Sequence, residues 1–177
     1  EIRILSKCIN NPFFVQLIGF SINNTYAIVT SFVPCGSLWD ILHLKKDEHQ
    51  NDQNQTQKNS TQNVQLCLND TQKNFIALGL SYAMKYLHSQ NIIHLDFKSP
   101  NILFDDRILP KIADLGLSQF YNPNSKSDTD IPLSSEKVAG PPSCISKNGT
   151  PMWMSPEQIC GLKCGPKSDV YSFGIIL

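Results

Sequence analysis

The residues best suited to chemistry lie in His94-Leu95-Asp96-Phe97-Lys98-Ser99-Pro100-Asn101, with Asp114-Leu115-Gly116 beginning thirteen positions after Asn101. Asp96 can accept a proton. Lys98, two residues on, can offset a developing negative charge. Asn101 supplies an amide oxygen and Asp114 a carboxylate, both hard ligands of the kind Mg²⁺ takes before water and substrate phosphates complete its shell. Taken singly, Asp96 reads as a solvated loop acid, Asp114 as a turn residue before Gly116 and Lys98 as surface charge. Together, a base, a cation and two oxygen donors meet the needs of phosphoryl transfer from a nucleotide, which are positioning and charge neutralisation.

Such a set works only if the chain folds back on itself. The pattern predicts strands at 102–104 and 111–113, joined by a turn at Asp105–Asp106, a hairpin that returns Asp114 to Asn101. Upstream, Phe75, Ile76, Leu80, Ala83, Met84 and Leu87 share one face of a predicted helix over 75–90. Gly79 weakens that helix and implies close packing. Earlier, residues 1–9 read as a helix, 14–20 and Tyr26–Thr30 as strands, and Leu38–Leu44 as a short helix capped by Ser37. Toward the other end, 153–161 has short helical character, and 168–177 reads as a helix with Ser168 as cap and Val170, Phe173, Ile176 and Leu177 as its apolar pattern.

Composition bounds the class. Apolar residues make up 41% of the 177, enough for a core, and 15 basic side chains balance 15 acidic ones. Zero net charge offers no electrostatic case for nucleic acid. The longest apolar runs, Tyr26–Val29 and Phe75–Leu78, are far short of the ~20 residues of a membrane span, and no signal peptide pattern is present. The cysteines at 8, 35, 67, 144, 160 and 164 form no C-x-x-C pair; free thiols in a cytoplasmic, reducing setting are the expectation. Residues 50–74 hold six Asn and seven Gln and read as a disordered polar insertion. Residues 117–148 read as a long Ser/Pro-rich loop. The helix-like patterns at both ends suggest a fragment cut within helices.

The residues from His94 to Asn101 closely resemble the catalytic loop H-R-D-L-K-x-x-N of eukaryotic protein kinases. Asp114-Leu115-Gly116 resembles the kinase D-F-G, and Ser155-Pro156-Glu157, preceded by Gly149-Thr150-Pro151-Met152-Trp153-Met154, resembles A-P-E. Ser168 to Gly174 resembles the large-lobe helix with a buried Asp. Four motifs in order leave little room for chance, and the style is similar to the tyrosine-kinase-like group, whose members mostly phosphorylate Ser or Thr. The resemblance implies an α+β, two-lobed kinase-like fold: residues 1–33 as a small-lobe remnant (helix C, two strands, hinge), and 34–177 as part of a mainly helical large lobe with the 50–74 insertion. It implies ATP and Mg²⁺ as cofactors and a protein substrate. Asp96, Lys98, Asn101 and Asp114 would be catalytic, with Asn101 and Asp114 on the metal. Thr30 would be the gatekeeper, with Ser31, Phe32 and Val33 as the hinge and Leu103 beneath the adenine. Glu1 takes the place of the helix-C glutamate. Leu5, Leu17, His94 and Leu115 resemble the apolar spine, His94 also bonding the backbone around Asp114, while Glu157 and Asp169 are structural. Lys98 and Thr150 are similar to the Ser/Thr pattern rather than the Tyr pattern.

Several departures matter. Leu95 stands where the family has an Arg that pairs with an activation-loop phosphate, which implies catalysis independent of that pair. Leu115 for Phe is a tolerable apolar swap. The family's Gly-rich loop and strand-3 Lys would lie before Glu1, so the 177 residues alone are expected to be inactive. A pseudokinase or scaffold module is the alternative; retention of Asp96, Lys98, Asn101 and Asp114 argues against it. A small-molecule kinase is disfavoured by the 149–157 segment, which resembles a peptide platform.

Overall fold

The structure, a computed structural model, describes residues 1–22, 26–43, 68–122 and 149–177. Helix α1 (Ile2–Lys7) leads to a hairpin of β1 (Leu17–Ser21) and β2 (Ala27–Thr30), then α2 (Leu38–His43). Helix α3 (Asp70–Ser89) is followed by β3 (Ile92–Ile93), a 3₁₀ turn (Ser99–Asn101), β4 (Ile102–Phe104), β5 (Pro110–Ile112) and β6 (Gln119–Phe120). A second 3₁₀ turn (Pro151–Trp153), α4 (Pro156–Ile159) and α5 (Pro166–Ile176) complete the order. The strands pair antiparallel as β1 with β2, β3 with β6 and β4 with β5.

Helix α3 begins five residues earlier than its apolar pattern suggests. Asn69 Oδ1 accepts the Gln72 N–H at 2.8 Å, and Gln72 Oε1 accepts the Asn69 N–H at 2.9 Å. This reciprocal cap draws Asp70–Asn74, expected in the polar insertion, into the helix. Residues 50–67 of that insertion, and 123–148 of the 117–148 loop, lie outside the described residues. The buried face of α3 is Ile76, Gly79, Leu80, Ala83, Met84 and Leu87; Phe75 points to solvent. Gly79 takes its place for a steric reason. A Cβ there would lie 2.9 Å from the Phe13 ring and 3.1 Å from Pro110.

The main core gathers α1 (Ile4, Leu5), Phe14, Leu38, the α3 face and β4–β5 (Ile102, Phe104, Ile112), together with Phe97 and Leu115. A second apolar cluster joins Ile93, Leu95 and Cys164, with Leu117 and Tyr121 against them. Helix α5 departs from its periodicity. It starts at Pro166, because proline suits a first turn that needs no N–H, so Ser168 lies inside the helix. Its Oγ accepts the Gly165 N–H at 3.3 Å. The helix buries Ser168, Asp169 and Ser172, while Val170 and Leu177 are exposed. Each of these buried polar groups has a partner, as burial requires. Ser168 donates to Glu157 Oε1 at 2.6 Å, Ser172 to the Trp153 carbonyl at 2.6 Å, and Asp169 accepts the His94 N–H. Among the described residues, no helix is long and apolar enough to cross a membrane.

Candidate active site

The 3₁₀ turn at Ser99–Asn101 and the β4–β5 hairpin bring the expected residues together. The Ala113 N–H donates to the Asn101 carbonyl at 2.8 Å, so the strand leading to Asp114 runs beside Asn101. Asp96 is buried. Its Oδ2 pairs with Lys98 Nζ at 2.6 Å, and its Oδ1 accepts the Thr150 hydroxyl at 3.1 Å. Lys98 Nζ also donates to Thr150 Oγ1 at 2.7 Å, which closes a ring of three side chains from two distant segments. Asn101 Nδ2 donates to the Asp96 carbonyl at 3.1 Å and to Asp96 Oδ2 at 3.3 Å. With its NH₂ turned to Asp96, the amide oxygen of Asn101 is directed away from it and is left to serve as a ligand.

Asp114 is exposed, its backbone is left-handed with φ 56, and its Oδ1 accepts the Gly116 N–H at 3.2 Å. A Cβ added at Gly116 would sit 3.1 Å from Asp114 Oδ1 and 3.7 Å from Glu1 Oε2, so both carboxylates converge on that glycine. The carboxylate of Asp114 and the amide oxygen of Asn101 are the hard, small donors that Mg²⁺ prefers, so the donor set fits the ion.

Asp169 organises the backbone before Asp96. Its Oδ2 accepts the His94 N–H and its Oδ1 the Leu95 N–H, both at 2.9 Å, while His88 Nε2 lies 2.8 Å from Oδ2. Leu95 takes a left-handed backbone, with φ 66. That conformation costs a residue with a Cβ roughly 1 kcal/mol or more. Its side chain is buried in the second apolar cluster. His94 is buried edge-on to Phe97, with ring centroids 5.5 Å apart. Rather than serving the backbone around Asp114, His94 Nδ1 accepts the Asp96 N–H at 3.3 Å. The His94 carbonyl accepts the Ser118 hydroxyl at 3.2 Å, and Nε2 has no partner among the described residues. Burial pushes the His94 pKa below its ordinary value, against the pull of Asp169, Asp96 and Asp114.

The remaining expected residues fall into two groups. Leu5 and Leu115 are buried in the main core and Leu17 packs against it. Around the expected hinge, Thr30 and Phe32 are exposed and Ser31 and Val33 are half-buried. The Ser31 N–H donates to the Gln16 carbonyl at 2.8 Å. Just beyond, the Cys35 N–H bonds the Phe104 carbonyl and the Phe104 N–H the Gly36 carbonyl, both at 3.0 Å. That pairing places half-buried Leu103 beside the 35–37 segment. Glu157 accepts the Ser168 hydroxyl; burial raises its pKa, but the hydrogen bonds led by Ser168 outweigh burial and leave it lowered. Trp39 of α2 meets Trp153 edge-on at 5.7 Å. Among the described residues no group of three or more His, Cys, Asp and Glu side chains is placed to hold a metal ion. Sequence reasoning missed His88, Ser118 and Gln158, because each acts through a partner far along the chain.

A family model described as the protein kinase domain matches residues 1–177. A probable serine/threonine-protein kinase of Dictyostelium discoideum is 30% identical over 177 residues, covering 100% of this chain and 15% of the relative. The serine/threonine-protein kinase CTR1 of Arabidopsis thaliana is 35% identical over 153 residues, covering 85% of this chain and 15% of the relative. The dual specificity protein kinase shkB of Dictyostelium discoideum is 30% identical over 178 residues, covering 100% of this chain and 22% of the relative. The chain thus spans less than a quarter of the length of these relatives.

Proposed function

This chain belongs to the protein kinase domain family, and from that premise we propose that the protein carrying it transfers the γ-phosphoryl group of ATP to Ser or Thr hydroxyls of a protein substrate. The observation that carries the reading is the closed ring of Asp96, Lys98 and Thr150, with Asn101 bonded to the same carboxylate. In this reading Asp96 orients the acceptor hydroxyl and takes its proton. Lys98, held between Asp96 and Thr150, offsets charge on the group in transfer. Asn101 and Asp114 would hold Mg²⁺, which would supply neutralisation of the ATP phosphate oxygens when bound.

Residues 1–33 act in this reading as the small-lobe side, with Glu1 on α1 and Thr30 to Val33 as the base-binding edge, and residues 34–177 as the large-lobe side. The Ser31 N–H is engaged by the Gln16 carbonyl, which in this reading leaves the Ser31 carbonyl to the base, with Leu103 assigned beneath the ring. Leu5, Leu17, His94 and Leu115 form the apolar support. The dependence of Thr150 on Asp96 and Lys98 supports Ser/Thr acceptors, with Tyr as the second class. A cytoplasmic setting accords with the free thiols of Cys8 and Cys164, both buried.

The test measures transfer from ATP to serine peptides by the full-length protein. Asp96→Asn keeps shape but cannot accept the proton, and kcat is expected to fall about 10²- to 10⁴-fold with ATP binding retained. Undiminished transfer by that variant overturns the reading. ATP binding without transfer in the parent protein assigns it to a binding module instead.

A further inference from the structure

We infer that Gln158 is a positioning residue for phosphoryl transfer, its buried amide fixing the peptide plane that leads into Asp96; this rests on the reading of Asp96 as the proton acceptor. Gln158 is 1% exposed, and both ends of its amide are used. Its Oε1 accepts the Ser155 N–H at 3.1 Å and the Ser155 hydroxyl at 3.2 Å. Two donors at one end fix which end is oxygen, so Nε2 donates to the Leu95 carbonyl at 2.9 Å.

That carbonyl belongs to the peptide unit between Leu95 and Asp96. The N–H of the same unit donates to His94 Nδ1 at 3.3 Å. In the two units upstream, Asp169 takes the N–H groups of His94 and Leu95. The plane preceding Asp96 is therefore held at its oxygen by Gln158 and at its nitrogen by His94. Leu95 gives a physical reason for such anchorage. Its positive φ is disfavoured for any residue with a Cβ and persists only where surrounding contacts impose it. Release of the carbonyl lets the backbone at Leu95 relax, and the following plane swings with it, carrying Asp96 from its place. Gln158 also lies on α4, directly after the segment whose Thr150 hydroxyl meets Asp96 Oδ1. One amide thus couples that segment to the loop.

The test uses the full-length protein and the serine-peptide assay. Gln158→Met keeps the length and apolar packing but removes both ends of the amide, leaving the Leu95 carbonyl and the Ser155 N–H unpaired, whereas Gln158→Glu keeps the acceptor for Ser155 and changes only the donor. A displaced Asp96 should lower kcat about 10- to 100-fold while KM for ATP and for peptide stays within about twofold. Gln158→Glu adds a readout that a merely structural role does not move. Near pH 8 its carboxylate repels the Leu95 carbonyl; burial raises its pKa, so at about pH 6 the protonated form donates and kcat recovers relative to the parent. A Met variant with kcat within about twofold of the parent, or a Glu variant whose pH profile parallels the parent's, overturns the inference. Should Gln158→Met not fold, the profile of Gln158→Glu decides alone. Asp96→Asn, measured alongside, separates the two claims. If it leaves transfer intact, the proton-acceptor reading falls and takes this inference with it. If it abolishes transfer while both Gln158 variants match the parent, this inference alone falls.

Discussion

Asp96 and Asn101 are each 8% exposed and bonded to each other, whereas Phe32, on the proposed base-binding edge, is 89% exposed, and Asp114 is bonded to the backbone only two residues away. The acceptor side is assembled from segments far apart in the chain: Asp96 from the loop, Thr150 from the 149–158 stretch, Asp169 from α5 and His88 from α3. Asp96, Asn101 and Asp169 are buried there, with Thr150, Lys98 and His88 half-buried, and buried carboxylates and amides need partners for the chain to fold. Folding itself sets its geometry. The base-binding edge gains little from folding, so its arrangement falls to the ligand and to further contacts. Changes on the acceptor side should therefore move stability and turnover together, and changes on the other edge should leave stability untouched.

The largest break in that contrast is expected from Asp169→Ala. The substitution strips a buried carboxylate from two backbone N–H groups and from His88. Loss of one partner of a buried charged network costs about 3–5 kcal/mol. Denaturant unfolding should register this loss, with transfer falling in parallel as Leu95 and Asp96 lose their anchor. Asp114→Asn keeps the oxygen that accepts the Gly116 N–H and suits the left-handed backbone, so it should stay within about 0.5 kcal/mol of the parent while abolishing metal-dependent transfer. Equal destabilisation by the two variants breaks the comparison.

The sequence disclosed the acceptor side in outline. Asp96, Lys98, Asn101 and Thr150, which the structure brings into contact, stand out by type and order as the set the proposal relies on, and the 102–104 strand with its partner follows from short β-rich runs around a turn. The hairpin's second strand lies at Pro110–Ile112, one residue earlier than expected. The partners that hold these residues were not legible. The His88 contact spans 81 positions to Asp169, and Gln158 reaches 63 positions to the Leu95 carbonyl. No local periodicity encodes either. Helix α5 misleads in part: Phe173 and Ile176 pack against the core as their pattern suggests, but Val170 and Leu177 are exposed, and the fully buried residues are Ser168, Asp169 and Ser172, because those three find partners. The start of α3 was visible in principle, as an Asn followed three residues later by a Gln, but the Asn/Gln-rich stretch around it hid the capping signal.

A smaller effect is expected at the joint between α4 and α5. Burial raises the pKa of Glu157, but hydrogen bonds led by Ser168 outweigh it and hold the carboxyl below its ordinary value of 4.5. A carboxyl whose folded pKa is depressed contributes stability above its unfolded value and loses it as pH falls through the folded one. Ser168→Ala removes the hydroxyl that donates to Glu157 and should cost about 1 kcal/mol at neutral pH. The gap between parent and variant should then narrow as pH drops below 4.5 and Glu157 protonates, leaving the pH-independent loss of the Gly165 bond. Melting temperatures measured across that range test the sign. A gap that stays constant with pH shows that the hydroxyl acts through packing rather than through the carboxylate.

The smallest effect should come from Phe32→Ala. The ring is almost fully in water, so its removal forfeits little buried apolar surface. Surface changes away from caps and cores usually stay within about 0.5 kcal/mol. The backbone at Phe32, which the proposal assigns to the base, is unchanged by the substitution. Stability and kcat should both match the parent, and whatever the ring contributes should appear in KM for ATP alone, as expected for a group that binds ground state and transition state equally. That signature is the inverse of the one expected for Gln158→Met, which lowers kcat and spares KM. A Phe32→Ala protein destabilised as much as Ser168→Ala would mean that the exposed edge is packed in the full-length protein, and the division between a side set by folding and a side set by its ligand would then have to be redrawn.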